Sequence, residues 1–232
     1  MLAISHQRDA GPGVFAEALD AGGATLDTWH RAETDRPPAD PFGYDAVVTF
    51  GGAAHADQEA DHPWLVDEKA LLRVLLDRGT PLLGVCLGAQ LVAEAAGGRA
   101  VRASKPELGW YEVEVTDEGT SDPLLGPVAP TFEAFEWHSY ECLLPPGATV
   151  LARTPVCPQA YRLGEAACGI QFHAEVSEAD AAKWIGEHGE NEDALRIGID
   201  PAVLRPETEA KIAGWNEFGR ELCARWLAEV GR

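Results

Sequence analysis

The residues best suited to covalent chemistry lie at 84–90, where Cys86 stands between two glycines. The segment follows the apolar run 81–83 and precedes the helical run 91–96. A strand that ends in the pattern G-x-C-x-G and opens a helix is the cysteine form of the nucleophile elbow, a strained turn that exposes the nucleophile at the carboxyl edge of a sheet. The N-terminus of the helix favours the thiolate. The alternative interpretation is a buried structural cysteine in a βα turn.

A second segment, residues 168–175, supplies groups that could activate this thiol. It is a short apolar run that ends in His173 and, two residues later, Glu175. A thiol needs a base to take its proton, and the base needs a carboxylate to orient it. Alternate residues of an extended chain point to the same side, so one strand end can deliver both groups. A lone histidine is usually structural, but its pairing with the elbow favours catalysis.

These two segments belong to a longer series of motifs. The others are a strand with a glycine pair at 44–52, a helix start at 62–65, and short motifs at 107–110, 137–140 and 158–162. In this order they resemble the class I (triad-type) glutamine amidotransferases, particularly stand-alone domains similar to the glutaminase part of GMP synthase. The resemblance covers most of the chain, and it implies a flavodoxin-like fold.

The resemblance also implies a role for individual residues. Cys86 would be the nucleophile, His173 the base and Glu175 its orienting carboxylate. The oxyanion hole and the site for the α-amino and α-carboxylate groups of glutamine would be formed by Gly51 or Gly52, Leu87, Gln90, Ser139 and Tyr140. Three positions depart from the family pattern: Ala174 and Ala53 replace prolines, and 139–140 differs from the version in close relatives. No catalytic atom is lost, but the last departure leaves the acyl substrate open.

The activity that this family implies is hydrolysis of the side-chain amide of glutamine through a γ-glutamyl thioester, with release of ammonia and glutamate. One alternative is a γ-glutamyl peptide hydrolase or transferase with the same triad. Another is a regulatory or interaction module with little turnover alone. Because no ATP-binding fingerprint is visible, we expect no cofactor, and a separate synthase chain would receive the ammonia.

The elements that must position these residues alternate between strand and helix in the first half of the chain. We predict strands at 2–5, 25–29, 46–50 and 82–85, helices at 14–21, 65–76 and from 89, and a loop at 31–42. Such alternation is typical of a mostly parallel sheet with helices on both faces, where sites form at the carboxyl ends of the strands. From 109 to 172 the pattern changes to strict alternation, which predicts a small antiparallel excursion.

The C-terminal part repeats apolar residues at spacings of three and four, from Ile212 to Val230. This pattern predicts an amphipathic helix. It would pack on the domain or, in the other interpretation, form the interface of a homodimer. We see no linker or internal repeat, so residues 1–232 are expected to form one domain.

Composition restricts the partners and the compartment. The net charge of −20 argues against nucleic acid and anionic membranes. No apolar run approaches the roughly 20 residues of a membrane span, and the N-terminus has no secretory signal pattern. Five cysteines, one of which must stay reduced, indicate a cytoplasmic protein without disulfides. The residues His55, Asp57, Asp61 and His62 are weak metal-ligand candidates in a variable loop, so we expect no metal.

Overall fold

A computed structural model describes residues 1–31, 33, 34 and 36–231. Positions 32 and 35 of the predicted loop and position 232 of the predicted domain therefore lie outside the described residues. The strands are β1 Leu2–Ser5, β2 Asp27–His30, β3 Val47–Thr49, β4 Leu82–Val85, β5 Arg99–Val115, β6 Thr131–Leu143, β7 Ala148–Arg153, β8 Pro158–Leu163 and β9 Ala167–Ile170. The helices are α1 Gly13–Ala21, α2 Trp64–Asp77, α3 Leu87–Ala95, α4 Asp117–Thr120, α5 Glu178–Gly186, α6 Glu192–Ile197 and α7 Pro201–Leu227.

The nine strands form one sheet in the order β2-β1-β3-β4-β9-β8-β7-β5-β6. The pairs from β2 to β9 are parallel and those from β9 to β6 are antiparallel. This α/β architecture with helices is the predicted flavodoxin-like fold. The antiparallel part is larger than the small excursion that the alternation at 109–172 predicts, because β5 already begins at Arg99.

Helices cover both faces of the parallel strands, and alternate strand residues face opposite sides. On one face, Ala3, Val48 and Leu83 pack with the apolar sides of α1 and α7. On the other face, Leu2, Val47 and Leu82 pack with α2 and α3. Burial of nearly every strand side chain explains why these segments read as continuous apolar runs.

The C-terminal helix α7 begins at Pro201 after Asp200, whose carboxylate accepts from the N–H of Ala202. Its predicted stripe is buried against the rest of the chain: Ile212, Trp215 and Trp226 belong to the same core as α1. This is the first of the two interpretations of the stripe, packing on the domain. Within the described part of the chain, no helix combines the length and apolarity needed to cross a bilayer.

Candidate active site

Cys86 lies at the junction of β4 and α3, immediately before the first turn of the helix. With φ 52° and ψ −111°, it is the one non-glycine among the described residues with positive φ. This conformation is strained for a residue with a Cβ. The flanking glycines permit it: a Cβ on Gly84 would lie 2.6 Å from the backbone of Ala89, and one on Gly88 would overlap the Thr49 carbonyl. The turn thus holds the thiol at the N-terminus of α3.

His173 follows the end of β9, and its ring contacts both Cys86 and Glu175. Its Nδ1 lies 2.7 Å from Oε1 of Glu175, and both side chains are buried. Burial lowers the pKa of His173, but the Glu175 carboxylate and Cys86 outweigh it and raise that pKa well above its ordinary value. The ring packs edge-on against Trp184, with 4.8 Å between centroids. Thiol, imidazole and carboxylate therefore stand in the order that a nucleophile, a base and its orienting group require.

The segment that carries His173 is fixed by the C-terminal helix. Trp215 Nε1 donates a hydrogen bond of 2.8 Å to the carbonyl of His173. One turn further along α7, Gly219 packs so closely that a Cβ there would overlap the carbonyl of Ala174. The aromatic residues of α7 therefore serve to position the catalytic segment as well as to fill the core.

Two backbone N–H groups beside Cys86 have no hydrogen-bond partner among the described residues. They belong to Leu87, the first residue of α3, and to Gly52 in the loop after β3. The first N–H groups of a helix have no intrahelical acceptor, so that of Leu87 is free to bind a ligand. Both residues line a cleft of about 480 Å³ that also contains Cys86 and His173.

The other residues predicted to bind substrate lie at the same place. Gln90, Ser139 and Tyr140 line the cleft, and Gln90 Nε2 donates to Gln171 Oε1 at 3.2 Å and to the Tyr140 carbonyl at 3.4 Å. Gly51 packs beside the triad, where a Cβ would come within 3.0 Å of the His173 ring. The structure thus brings all of the predicted site residues together.

A second buried polar cluster adjoins the cleft on β5, β6 and β8. Nε2 of His138 lies 3.3 Å from Oε2 of Glu107 and 3.3 Å from Oε2 of Glu136. Burial lowers the pKa of His138, but the two carboxylates raise it to about 10. Gln159 Nε2 donates to Glu107 Oε2 at 2.8 Å. The sequence motifs around 107, 138 and 159 therefore converge on one charged network.

This cluster contains a further cysteine, Cys157, whose Sγ lies 3.8 Å from Glu107 Oε2. Ligand atoms of Glu107, His138 and Cys157 all lie within 4.8 Å of one another, a grouping that could hold a metal ion. However, the Glu107 oxygen already accepts from Gln159 and Thr154, so the group is bound internally. Burial and the neighbouring Glu107 raise the pKa of Cys157, which keeps this thiol protonated and a poor nucleophile.

The loop that held the weak metal-ligand candidates contacts the cleft instead. The ring of His55 stacks on that of Tyr140 with 4.1 Å between centroids, and Asp57 accepts a hydrogen bond of 3.3 Å from the Tyr140 hydroxyl. The loop therefore fixes a residue that lines the site.

A buried pair behind the glycine loop, His6 and Glu68, was not predicted from the sequence. His6 follows the end of β1, and its Nε2 lies 3.0 Å from a Glu68 oxygen. One signal was available: Glu68 lies on the same face of α2 as Leu65 and Leu72, and all three are fully buried. A carboxylate in an apolar stripe requires a buried partner.

Comparison with known proteins agrees with this geometry. The sequence model of the family described as glutamine amidotransferase class-I matches residues 19–186. A glutamine amidotransferase-like protein of Salmonella typhimurium is 28% identical over 98% of this chain and 95% of its own length. The glutamine-hydrolyzing component of the GMP synthase of Halobacterium salinarum is 31% identical over 73% of this chain and 85% of its own. The chain spans only 21% of the GMP synthase of Aeropyrum pernix, with 43% identity over 112 residues.

Solved structures show the same relationship. A glutamine amidotransferase of Thermotoga maritima superposes with a TM-score of 0.86 at 26% identity, covering 97% of this chain and 96% of its own. A second, from Methylobacillus flagellatus, also has a TM-score of 0.86, at 27% identity, covering 100% of this chain and 95% of its own. The protein therefore belongs to the class I glutamine amidotransferase family.

Proposed function

We propose that this protein hydrolyses the side-chain amide of glutamine through Cys86, His173 and Glu175. The Cys86 thiolate attacks the amide carbon, and the C=O bond opens to a tetrahedral oxyanion. The His173 imidazolium then protonates the departing nitrogen, so ammonia leaves and a γ-glutamyl thioester remains. Neutral His173 next removes a proton from water, which attacks the thioester, and glutamate leaves as the Cys86 thiolate is restored.

Two features of the site would accelerate these steps. General acid–base catalysis by a positioned imidazole contributes roughly 10²–10⁴-fold, and Glu175 holds the ring in the required tautomer. The N–H groups of Leu87 and Gly52, which no described residue accepts from, would stabilise the oxyanion, where one donor is worth roughly 10²–10³-fold. Gln90, Ser139 and Tyr140 would bind the α-amino and α-carboxylate groups of the substrate.

The observation that carries the proposal is the strained elbow at Cys86 beside the buried His173–Glu175 pair. Strained backbone persists where the surrounding structure enforces it, and it concentrates at functional sites. Both groups open on one cleft, which adjoins the two backbone donors that lack an acceptor among the described residues. A structural cysteine needs none of these features.

The test is ammonia release from glutamine by the purified protein, measured beside glutamate release from γ-glutamyl peptides. We expect hydrolysis of glutamine, abolished in Cys86→Ala. Faster turnover of γ-glutamyl peptides would instead favour the peptidase alternative, and no turnover of either would favour a regulatory module.

The matched control is Cys157→Ala, which removes the thiol of the second Cys–His–Glu group. Because that thiol is held protonated by burial, we expect this variant to retain glutaminase activity. Loss of activity in Cys157→Ala together with retention in Cys86→Ala would assign the reaction to the second cluster and refute the proposal.

The wider setting is also a proposal. One sheet contains every strand described, which supports residues 1–232 as a single amidotransferase domain. The similarity to the glutamine-hydrolyzing components of GMP synthases supports a separate synthase chain that takes up the ammonia and stimulates turnover. The alternative of a homodimer through α7 is disfavoured because its stripe is buried within the chain. Five free cysteines fit a reducing compartment, the cytoplasm.

A further inference from the structure

The glycine loop after β3 is held from behind by His6. Nδ1 of His6 lies 3.1 Å from the carbonyl oxygen of Phe50 and 3.1 Å from that of Gly51. Its Nε2 lies 3.1 and 3.0 Å from the two oxygens of Glu68. Carbonyls and a carboxylate only accept hydrogen bonds, so both ring nitrogens must carry protons. His6 is therefore an imidazolium that donates to the loop on one side and to Glu68 on the other.

The charge on His6 is supported by everything that surrounds it. Glu68 is completely buried on α2 and also accepts from the Thr49 hydroxyl at 2.8 Å. Trp64 stacks on the His6 ring with 5.0 Å between centroids, and Arg31 lies 4.0 Å from Glu68. Burial lowers the pKa of His6, but Glu68 and the two carbonyls raise it above its ordinary value. The donor is thus fixed in one orientation.

The orientation of one peptide group follows from this contact. The bond between Gly51 and Gly52 is trans, and the C=O and N–H of a planar trans peptide point in opposite directions. Since the Gly51 carbonyl points at His6, the Gly52 N–H points away from it. That N–H has no partner among the described residues, and Gly52 lines the cleft. On its other side, Gly51 packs against Cys86 and His173.

We infer that His6, oriented by Glu68, is a positioning residue for the hydrolysis: it fixes the Gly51 carbonyl so that the Gly52 N–H faces the reacting carbon as the second oxyanion donor. This inference rests on the proposed function. Without the His6 donor the peptide can rotate, and the developing negative charge loses one partner. The effect falls on the rate of acylation and leaves substrate binding and the Cys86 thiol in place.

The test uses two substitutions that separate the two halves of the ring. Asn places its amide nitrogen as many bonds from the backbone as Nδ1, and Gln places its amide nitrogen as Nε2. His6→Asn thus keeps a donor for the loop carbonyls, whereas His6→Gln keeps a donor for Glu68. We expect kcat for glutamine to fall about 10²–10³-fold in His6→Gln, as for loss of one oxyanion donor, and far less in His6→Asn, with KM nearly unchanged in both.

The control is the rate at which iodoacetamide alkylates Cys86. This displacement forms no tetrahedral oxyanion, so we expect both variants to react at the rate of the unmodified protein. A fall in the alkylation rate that matches the fall in kcat would show general damage to the site and overturn the inference. So would equal losses of kcat in the two variants, or an effect on KM alone. Failure of the unmodified protein to hydrolyse glutamine would instead refute the proposed function.

Discussion

Replacement of His138 by Asn tests whether this residue is a buried cation. The imidazole is almost fully enclosed, and its Nε2 lies 3.3 Å from a carboxylate oxygen of Glu107 and of Glu136. The substitution removes the positive charge and leaves two carboxylates buried side by side. Breaking a buried ion pair by removing one partner costs about 3–5 kcal/mol. We therefore expect His138→Asn to lower the free energy of unfolding by about that amount at pH 8.

The pKa of His138 gives the magnitude and sign of the pH dependence. The rise from 6.5 to about 10, at about 1.4 kcal/mol per pKa unit, corresponds to about 5 kcal/mol of preference for the charged form. Because the folded-state pKa is raised, this stability is fully present below pH 6.5. It is lost as the pH rises toward 10, where the folded protein binds one proton more than the unfolded chain.

The assay is urea unfolding of the two proteins at several pH values between 8 and 10. In this range the carboxylates of the variant are ionised, so the variant lacks the His138 contribution to the slope. The difference in unfolding free energy should therefore shrink by about 1.4 kcal/mol per pH unit. A difference that stays constant across this range would show that His138 is neutral in the folded protein, and the assigned charge network would be wrong.

Three further substitutions test the elbow and the triad. Gly88→Ala should abolish activity and destabilise the fold, because the new Cβ would overlap the Thr49 carbonyl; its control, Gly214→Ala in the open interior of α7, should raise stability by about 0.5–1 kcal/mol in thermal unfolding. Glu175→Gln should shift the alkaline limb of the kcat/KM profile to lower pH, because Glu175 raises the pKa of His173 and acylation needs the imidazolium. An unshifted limb would contradict that role.

The parallel half of the fold is readable from the sequence for a physical reason. The bounds of β1 and β4 match their predicted limits because both strands are buried on both faces and consist of short apolar runs. The start of β5 was predicted ten residues too late. Its first part carries Arg99, Arg102 and Lys105, and charged residues on a partly exposed strand do not produce the alternation that marks one.

The candidate site divides in the same way. Cys86 and the pair His173–Glu175 lie in short contiguous motifs, so local sequence suffices to propose them. The contact between His6 and Glu68 joins residues 62 positions apart, and neither is part of a motif. Only the pairing of β1 with β3 brings His6 to the glycine loop. Such support residues depend on tertiary contacts that no local pattern contains.

The position of β9 explains why one site draws on both halves of the sheet. β9 pairs in parallel with β4, which ends at the elbow, and antiparallel with β8. Its end therefore places His173 beside Cys86 on one side and beside the antiparallel strands on the other, where the His173 N–H donates to the Phe135 carbonyl of β6 at 2.9 Å. The His138 cluster lies on those strands. We infer that this cluster holds the antiparallel strands at a fixed distance from the nucleophile, so its charge state governs the geometry of the triad as well as stability.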